Sequence, residues 1–180
     1  MADTVLDLNT VTDFKKPAVD LIVELFNLKH GTGYTSDQFV TSLPSVGSVE
    51  GKNTDLILYG QQNTGLKGQV TVHYNRIAAH EILGNKDTLI FKSEETMVSD
   101  LLPLINEKYG VQIDKSEIID AVLPVLDVNN ALDVQSFALT FKGSALVYFG
   151  SVVLNIQQAR TDIGTQYPDG DLPGFVFTAP

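Results

Sequence analysis

Residues 27–38 read NLKHGTGYTSDQ and residues 106–117 read NEKYGVQIDKSE, the same helix ending and helix restart at a separation of 79 positions. An internal repeat constrains the fold more than any local propensity, because it demands the same elements in the same order twice. Upstream of the first copy, Val19, Ile22, Val23, Leu25 and Phe26 recur at helical spacing, which predicts a helix over 16–30 with Pro17 in its first turn and Gly31 after its last. Upstream of the second, Val98, Leu101, Leu102, Leu104 and Ile105 repeat that register and Gly110 follows. Pro103 lacks a backbone donor, so this second helix either starts near Leu102 or carries a kink.

Past each glycine stands a capping box, Thr35 with Gln38 and Asp114 with Glu117, which predicts a short second helix in each copy. A Leu-Pro pair within SLPSV (42–46) and VLPVL (122–126) is expected to end it, since the residue before proline disfavours the α region. Period-two alternation then marks strands at TDLILYG (54–60) and VQSFALTF (134–141), and hairpin partners at GQVTVHYNRI (68–77) and GSVVLNIQ (150–157). Short apolar runs at 4–8 and 88–91 add a strand before each long helix. The expected fold is α+β: two related β-α-α-β-β units, 1–77 and 85–158, joined by a linker over 78–84, with antiparallel hairpins packed against helices. Residues 159–180, with two X-Pro turns and an apolar GFVF, are expected to form an extended C-terminal arm.

Charge and composition remove several function classes. With 180 residues and 43% hydrophobic content the chain has material for a substantial core. A net charge of -10 repels phosphate backbones and anionic lipid, so neither nucleic acid nor a membrane is an expected partner. The chain has no cysteine, which excludes disulfides and thiolate chemistry. The start MADTVLDLNTVTD is acidic and unlike a secretory signal, and no apolar run reaches the roughly 18 to 20 residues of a membrane span, so synthesis and folding in a cytoplasm are expected.

The residues offer little for catalysis. The histidines are His30, His73 and His80. His30 ends a helix, where its repeat counterpart is Tyr109, and both are expected to cap and pack. His73 alternates onto the strand face opposite Val70, Val72 and Tyr74, which predicts a surface histidine. His80 and Glu81 open an H-E-x-x-H pattern that fails at Gly84. Neither a nucleophile elbow, a phosphate loop nor a dinucleotide fingerprint occurs. Two acidic stretches, 127–133 with Asp127 and Asn129, and 167–174 with Asp169 and Asp171, bring oxygen ligands close together as calcium prefers, though their spacing suits Asx turns better. No residue is singled out as catalytic, cofactor-binding or metal-ligating, and no cofactor is expected. Strand edges and the terminal arm remain as candidate contact surfaces.

The strings LLPLINEKYGVQIDKSEIID and LILYGQQNTGLKGQVTVHYNRI resemble a duplicated domain of virion structural proteins in large contractile-tailed bacteriophages of the myovirus type. In that family a helix ending in Asn-x-x-Tyr-Gly precedes an Asp-capped helix, and a hairpin ends in Gly-x-Val-x-Val-x-Tyr-Asn-Arg. The likeness covers most of residues 18–156. This chain departs from it at Pro103, and where VVLNIQQ replaces the ending seen at Tyr74, Asn75 and Arg76. The resemblance implies a non-enzymatic virion component of the tail or baseplate region, made in the host cytoplasm, whose partners are other virion proteins and copies of itself. A head decoration or minor capsid protein is the alternative within that class. A calcium- or glycan-binding adhesion module, using the acidic loops and exposed Tyr34, Tyr59, Tyr148 or Tyr167, is the alternative outside it.

Overall fold

A computed structural model describes residues 4–127, 130 and 132–159. The arm expected over 159–180 lies outside the described residues except for Ala159, as do Asn129, Tyr167, Asp169 and Asp171.

The first unit runs β1 (Thr4–Val5), α1 (Ala18–His30), β2 (Phe39–Thr41), β3 (Ser45–Val46), β4 (Thr54–Gly60) and β5 (Gln69–Tyr74), and β6 (Ile77–Ala78) leads out of it. The second runs β7 (Leu89–Lys92), α2 (Leu102–Tyr109), β8 (Val134–Thr140), β9 (Tyr148–Phe149) and β10 (Ser151–Gln158). In each unit the first strand lies parallel to the second hairpin strand, β1 on β5 and β7 on β10. The hairpins themselves, β4 with β5 and β8 with β10, are antiparallel. The sheets read β1-β5-β4-β2, with β3 also on β4, and β7-β10-β8. The fold is therefore α+β, and the first strand, long helix and hairpin recur in both units, whereas β2 and β3 belong to the first alone.

Both long helices stop where the sequence places the stop. Gly31 and Gly110 take left-handed backbone angles, φ 65° and 72°, and their amides bond back to the Asn27 and Asn106 carbonyls. On α1 the side chains of Leu21, Ile22, Val23, Leu25 and Phe26 are buried. α2 begins at Leu102 with Pro103 in its first turn, and a 3-10 turn over Val98–Leu101 leads into it. The reason is local: an α-helix running back through this point would need a Pro103 amide to bond the Ser99 carbonyl, and proline has none. The Leu102 amide bonds that carbonyl instead, in 3-10 fashion.

The short second helices are one-turn structures. Both capping boxes form, but each turn is a single 3-10 turn, Ser36–Gln38 and Lys115–Glu117, and ends well before the Leu-Pro pair. After the turn the chain extends, because Phe39, Val40 and Thr41 suit a strand and pair with Gly60, Tyr59 and Leu58. In the second unit only Ile118 repeats this, as a lone bridge to Phe141.

One apolar cluster unites the two units, joining Leu21, Ile22, Leu56 and Leu58 to Leu101, Ile105, Leu139 and Leu154. The stretch 78–84, expected as a linker, is itself built in: β6 pairs in parallel with β9, and residues Ala79–Leu83 form a 3-10 turn with Ala79 buried.

Candidate functional site

The shared asparagine of the repeated corner has a structural task that residue patterns alone leave invisible. Asn106 Nδ2 donates to the Ile113 carbonyl at 3.0 Å while its Oδ1 accepts from the Ile113 amide at 2.9 Å. Asn27 does the same to Tyr34, at 2.7 and 3.0 Å, and also accepts from the Thr32 hydroxyl. Each asparagine thus clamps both backbone groups of the residue seven positions on, which closes the corner. At the helix ends, His30 Nε2 meets Thr4 Oγ1 at 3.1 Å and the Tyr109 hydroxyl donates to the Asp87 carbonyl at 2.9 Å. The counterparts tie their helix to the region of the first strand in each unit, and His30 also stacks near Phe26.

Between the units lies a polar seam built on Tyr74, Asn75 and Arg76. The buried Tyr74 hydroxyl donates to the Leu146 carbonyl at 2.7 Å, and burial pushes its ionisation far above the usual phenol range. Asn75 braces residues 51 and 53, donating to the Gly51 carbonyl and accepting from the Asn53 amide. Arg76 donates to Thr54 Oγ1 at 3.0 Å and to the Gly143 and Ala145 carbonyls at 3.3 and 3.1 Å, with its guanidinium 5.8 Å from the Phe149 ring centre. Two backbone contacts run alongside: Ile77 N–H to the Val147 carbonyl and Gln112 N–H to the Phe14 carbonyl, both at 2.8 Å. In the second unit the aligned residues are Ile156, Gln157 and Gln158, so only one seam of this kind is encoded.

A cleft of about 430 Å³ opens where the start of α1, the 41–43 turn and the second corner meet. Gln112, Asp114, Ser116 and Glu117 of the repeated stretch line it. Glu117 Oε2 accepts from the Asp114 amide at 3.1 Å, closing the capping box, but Oε1 is buried with no hydrogen-bond partner among the described residues. Burial, aided by the neighbouring Asp114 charge, raises the carboxyl above its ordinary range against the pull of hydrogen bonds from the Asp114 and Leu146 amides. The first unit places neutral Gln38 at this position, with Oε1 on the Thr35 amide at 2.9 Å.

A consequence can be measured. A raised carboxyl in the folded state contributes stability below its unfolded value, and that contribution is lost as pH rises through the folded one. Glu117→Gln keeps the capping acceptor and is expected to stabilise the chain at pH 7 by on the order of 1 kcal/mol, with the gain shrinking as pH falls through the raised folded-state value and gone below about pH 4, where the carboxyl is protonated in both states. Thermal melts across that range check it, and a loss of stability at neutral pH contradicts it.

His73 is not a surface residue: it is 2% exposed, and its Nδ1 lies 2.6 Å from Asp55 Oδ1 across the β4–β5 pair. Alternation placed it correctly on the face opposite Val72 and Tyr74, but that face is covered at this point. Burial works against the Asp55 charge, yet hydrogen bonds from Ser48 and His73 more than offset it and hold the carboxyl below its usual range. His80 is exposed on its 3-10 turn. The described part of the 127–133 stretch is turn chemistry: the Asp127 amide bonds Asp133, the Asn130 amide bonds the Asp127 carbonyl and the Leu132 amide bonds Asn130 Oδ1. Among the described residues no three His, Asp or Glu side chains group as a cation site would need. Of the tyrosines considered for ligand binding, Tyr148 is buried, Tyr34 packs against Phe26 and Phe39, and Tyr59 is partly exposed.

The outward face of the second sheet is a different kind of surface. Pairing sets Phe91 and Val134 on either side of Gln157, with Val153 further along the same face of β10, and all three apolar residues are exposed. Beside it a groove of about 330 Å³ runs between residues 92–96 and 122–126 and reaches Gln158. Val122 and Val125 stand at that groove, Val125 at 91% exposure. Polar Gln157, Asn155 and Ser136 stand between these side chains, so the face is a mixed one of exposed apolar and polar residues, the composition that protein–protein contacts bury.

No curated protein and no solved structure matches this chain. A family model does, over residues 12–179, and the chain belongs to that family, described as a family of unknown function (DUF7941).

Proposed function

We propose that the chain is a non-enzymatic structural protein of a bacteriophage virion, assembling in the tail or baseplate region through strand edges and its C-terminal segment. The observation that carries the reading is the set of exposed apolar residues on the outward face of the second sheet, Phe91, Val134 and Val153, continued by Val122 and Val125. A chain of net charge -10 that leaves these side chains in water has a use for them in contact with another protein. The resemblance of LLPLINEKYGVQIDKSEIID and the Tyr-Asn-Arg hairpin ending to virion proteins supports the same reading. The partners are then other virion proteins and copies of this chain, and the location is the particle.

Mass spectrometry of purified virions, fractionated into heads, tails and baseplates, tests it. The expected result is recovery with tails or baseplates at a fixed stoichiometry. Recovery with heads favours a head decoration or minor capsid protein, and absence from particles overturns the proposal. Deleting residues 160–180 leaves every described element in place and is expected to abolish incorporation. Particles that contain the truncated chain at normal copy number contradict that role.

A further inference from the structure

The two sheets differ at one edge, and the difference is not accidental to their order. In the first unit the outer edge of β4 is covered along its length. Phe39 pairs with Gly60, the Ser42 amide donates to the Ile57 carbonyl, the Ile57 amide donates to Ser42 Oγ, and Ser45 pairs with Asp55. In the second unit Ile118 bridges Phe141 and the Ile119 amide reaches the Thr140 carbonyl, and there the cover stops. The chain that would continue it turns away: Val122 bridges Met97, the Leu123 amide bonds the Thr96 carbonyl, and the Val98 amide bonds the Ala121 carbonyl.

The exposed backbone groups of β8 can be named. The Phe141 amide faces β10, bonding the Gly150 carbonyl, while the Thr140 carbonyl faces the other way. Alternation then aims the N–H and C=O of Val134, Ser136 and Ala138 away from β10, and no backbone partner meets them among the described residues. Among the described residues nothing covers this part of the strand, and its own sequence lacks the usual protections of an edge. VQSFALT is seven residues long with no charge and no proline, in a chain that is otherwise strongly acidic.

We propose that β8 pairs with β8 of a second copy of this chain, antiparallel about a two-fold axis near Ser136, to make a continuous sheet β7-β10-β8-β8-β10-β7. The edge is suited to itself. An antiparallel strand is self-complementary under a two-fold, and in this register Ser136 meets Ser136 while Val134 meets Ala138. All three side chains are exposed and uncharged, so the contact places no like charges opposite each other even though each chain carries -10 overall. The pairing also joins the two outward faces that carry Phe91, Val134 and Val153 into one larger face. It names the self-contact within the assembly reading and shares its premise that strand edges carry contacts.

Sedimentation velocity of the full chain from about 1 to about 100 μM tests it, with hydrogen exchange at both ends of the range. The expected result is a shift from one chain toward two, with the Val134, Ser136 and Ala138 amides exchanging at least tenfold more slowly in the dimer. Ala138→Pro removes an outward N–H that the single chain does not use, and Ser136→Lys places two ammonium groups across the axis. Each is expected to hold the chain as a folded monomer, shown by an unchanged circular dichroism spectrum. A chain that stays monomeric at about 100 μM, or a dimer that both variants leave intact, overturns the proposal. So does a chain lacking residues 160–180 that dimerises when the full chain does not, since that segment would then be what occupies the edge. A dimer in solution from a chain that is absent from particles upholds the pairing and removes the assembly reading.

Discussion

Arg76→Ala is expected to cost about 3 kcal/mol of unfolding free energy and to lower Tm by about 9 °C, the largest loss of any single polar residue in the seam. Three acceptors depend on the guanidinium: Thr54 Oγ1 in the first unit and the Gly143 and Ala145 carbonyls in the second. Truncation leaves the carbonyls short of a charged donor in a partly closed site, and it removes the packing of the arginine on Phe149. Arg76→Lys should recover little of the loss, because a single ammonium cannot reproduce a planar fork that spans three acceptors. Urea titrations of the three proteins give the comparison. A midpoint that falls with an unchanged slope means that the units still unfold together, and an Arg76→Ala chain within about 0.5 kcal/mol of the parent would show that the seam is held by its apolar contacts alone.

Asn106→Ala is expected to destabilise by about 2 kcal/mol, because it strips both the donor and the acceptor from the backbone of Ile113, itself 2% exposed. Asn106→Asp separates the two halves of the clamp: the acceptor for the Ile113 amide remains, the donor to its carbonyl is gone, and the loss should be intermediate. Asn27→Ala should fall in the same range, since Asn27 clamps Tyr34 in the same geometry. If the clamp is what the repeat preserves, hydrogen exchange will rise first at residues 110–114 in the Asn106 variants and at residues 31–35 in the Asn27 variant. Exchange that rises uniformly would assign the asparagines no particular part in closing the corner.

These two residues mark how far pattern reading goes. Asn27 and Asn106 were visible as a coincidence of the repeat, but their use depends on a partner seven positions on, after a left-handed glycine has reversed the chain. Arg76 was visible only as the end of a hairpin motif. Its acceptors in the second unit lie 67 and 69 positions away in sequence, and no local periodicity reports a contact of that range. His73 is buried where alternation predicts a surface residue for a related reason: alternation assigns a face, and burial depends on what crosses that face. The short helices stop after one turn for a different reason: a capping box fixes a start and not a length, and Phe39, Val40 and Thr41 gain more from pairing with β4 than from continuing a turn.

What the sequence determined by itself is the glycine stop of both long helices, the two hairpins set by alternation, and a break in the second helical run around Pro103. These are decided by covalent geometry and side-chain periodicity within a few residues, so a single chain read in order contains them. The tertiary structure decided which edges are covered. Residues 42–46 turn back onto β4 while residues 122–126 run to Thr96 and Met97, although both carry the same Leu-Pro pair. That choice is made by competition among distant backbone partners. Among the described residues, it is the choice that leaves β8 without a second neighbour in one unit and closes its counterpart β4 in the other.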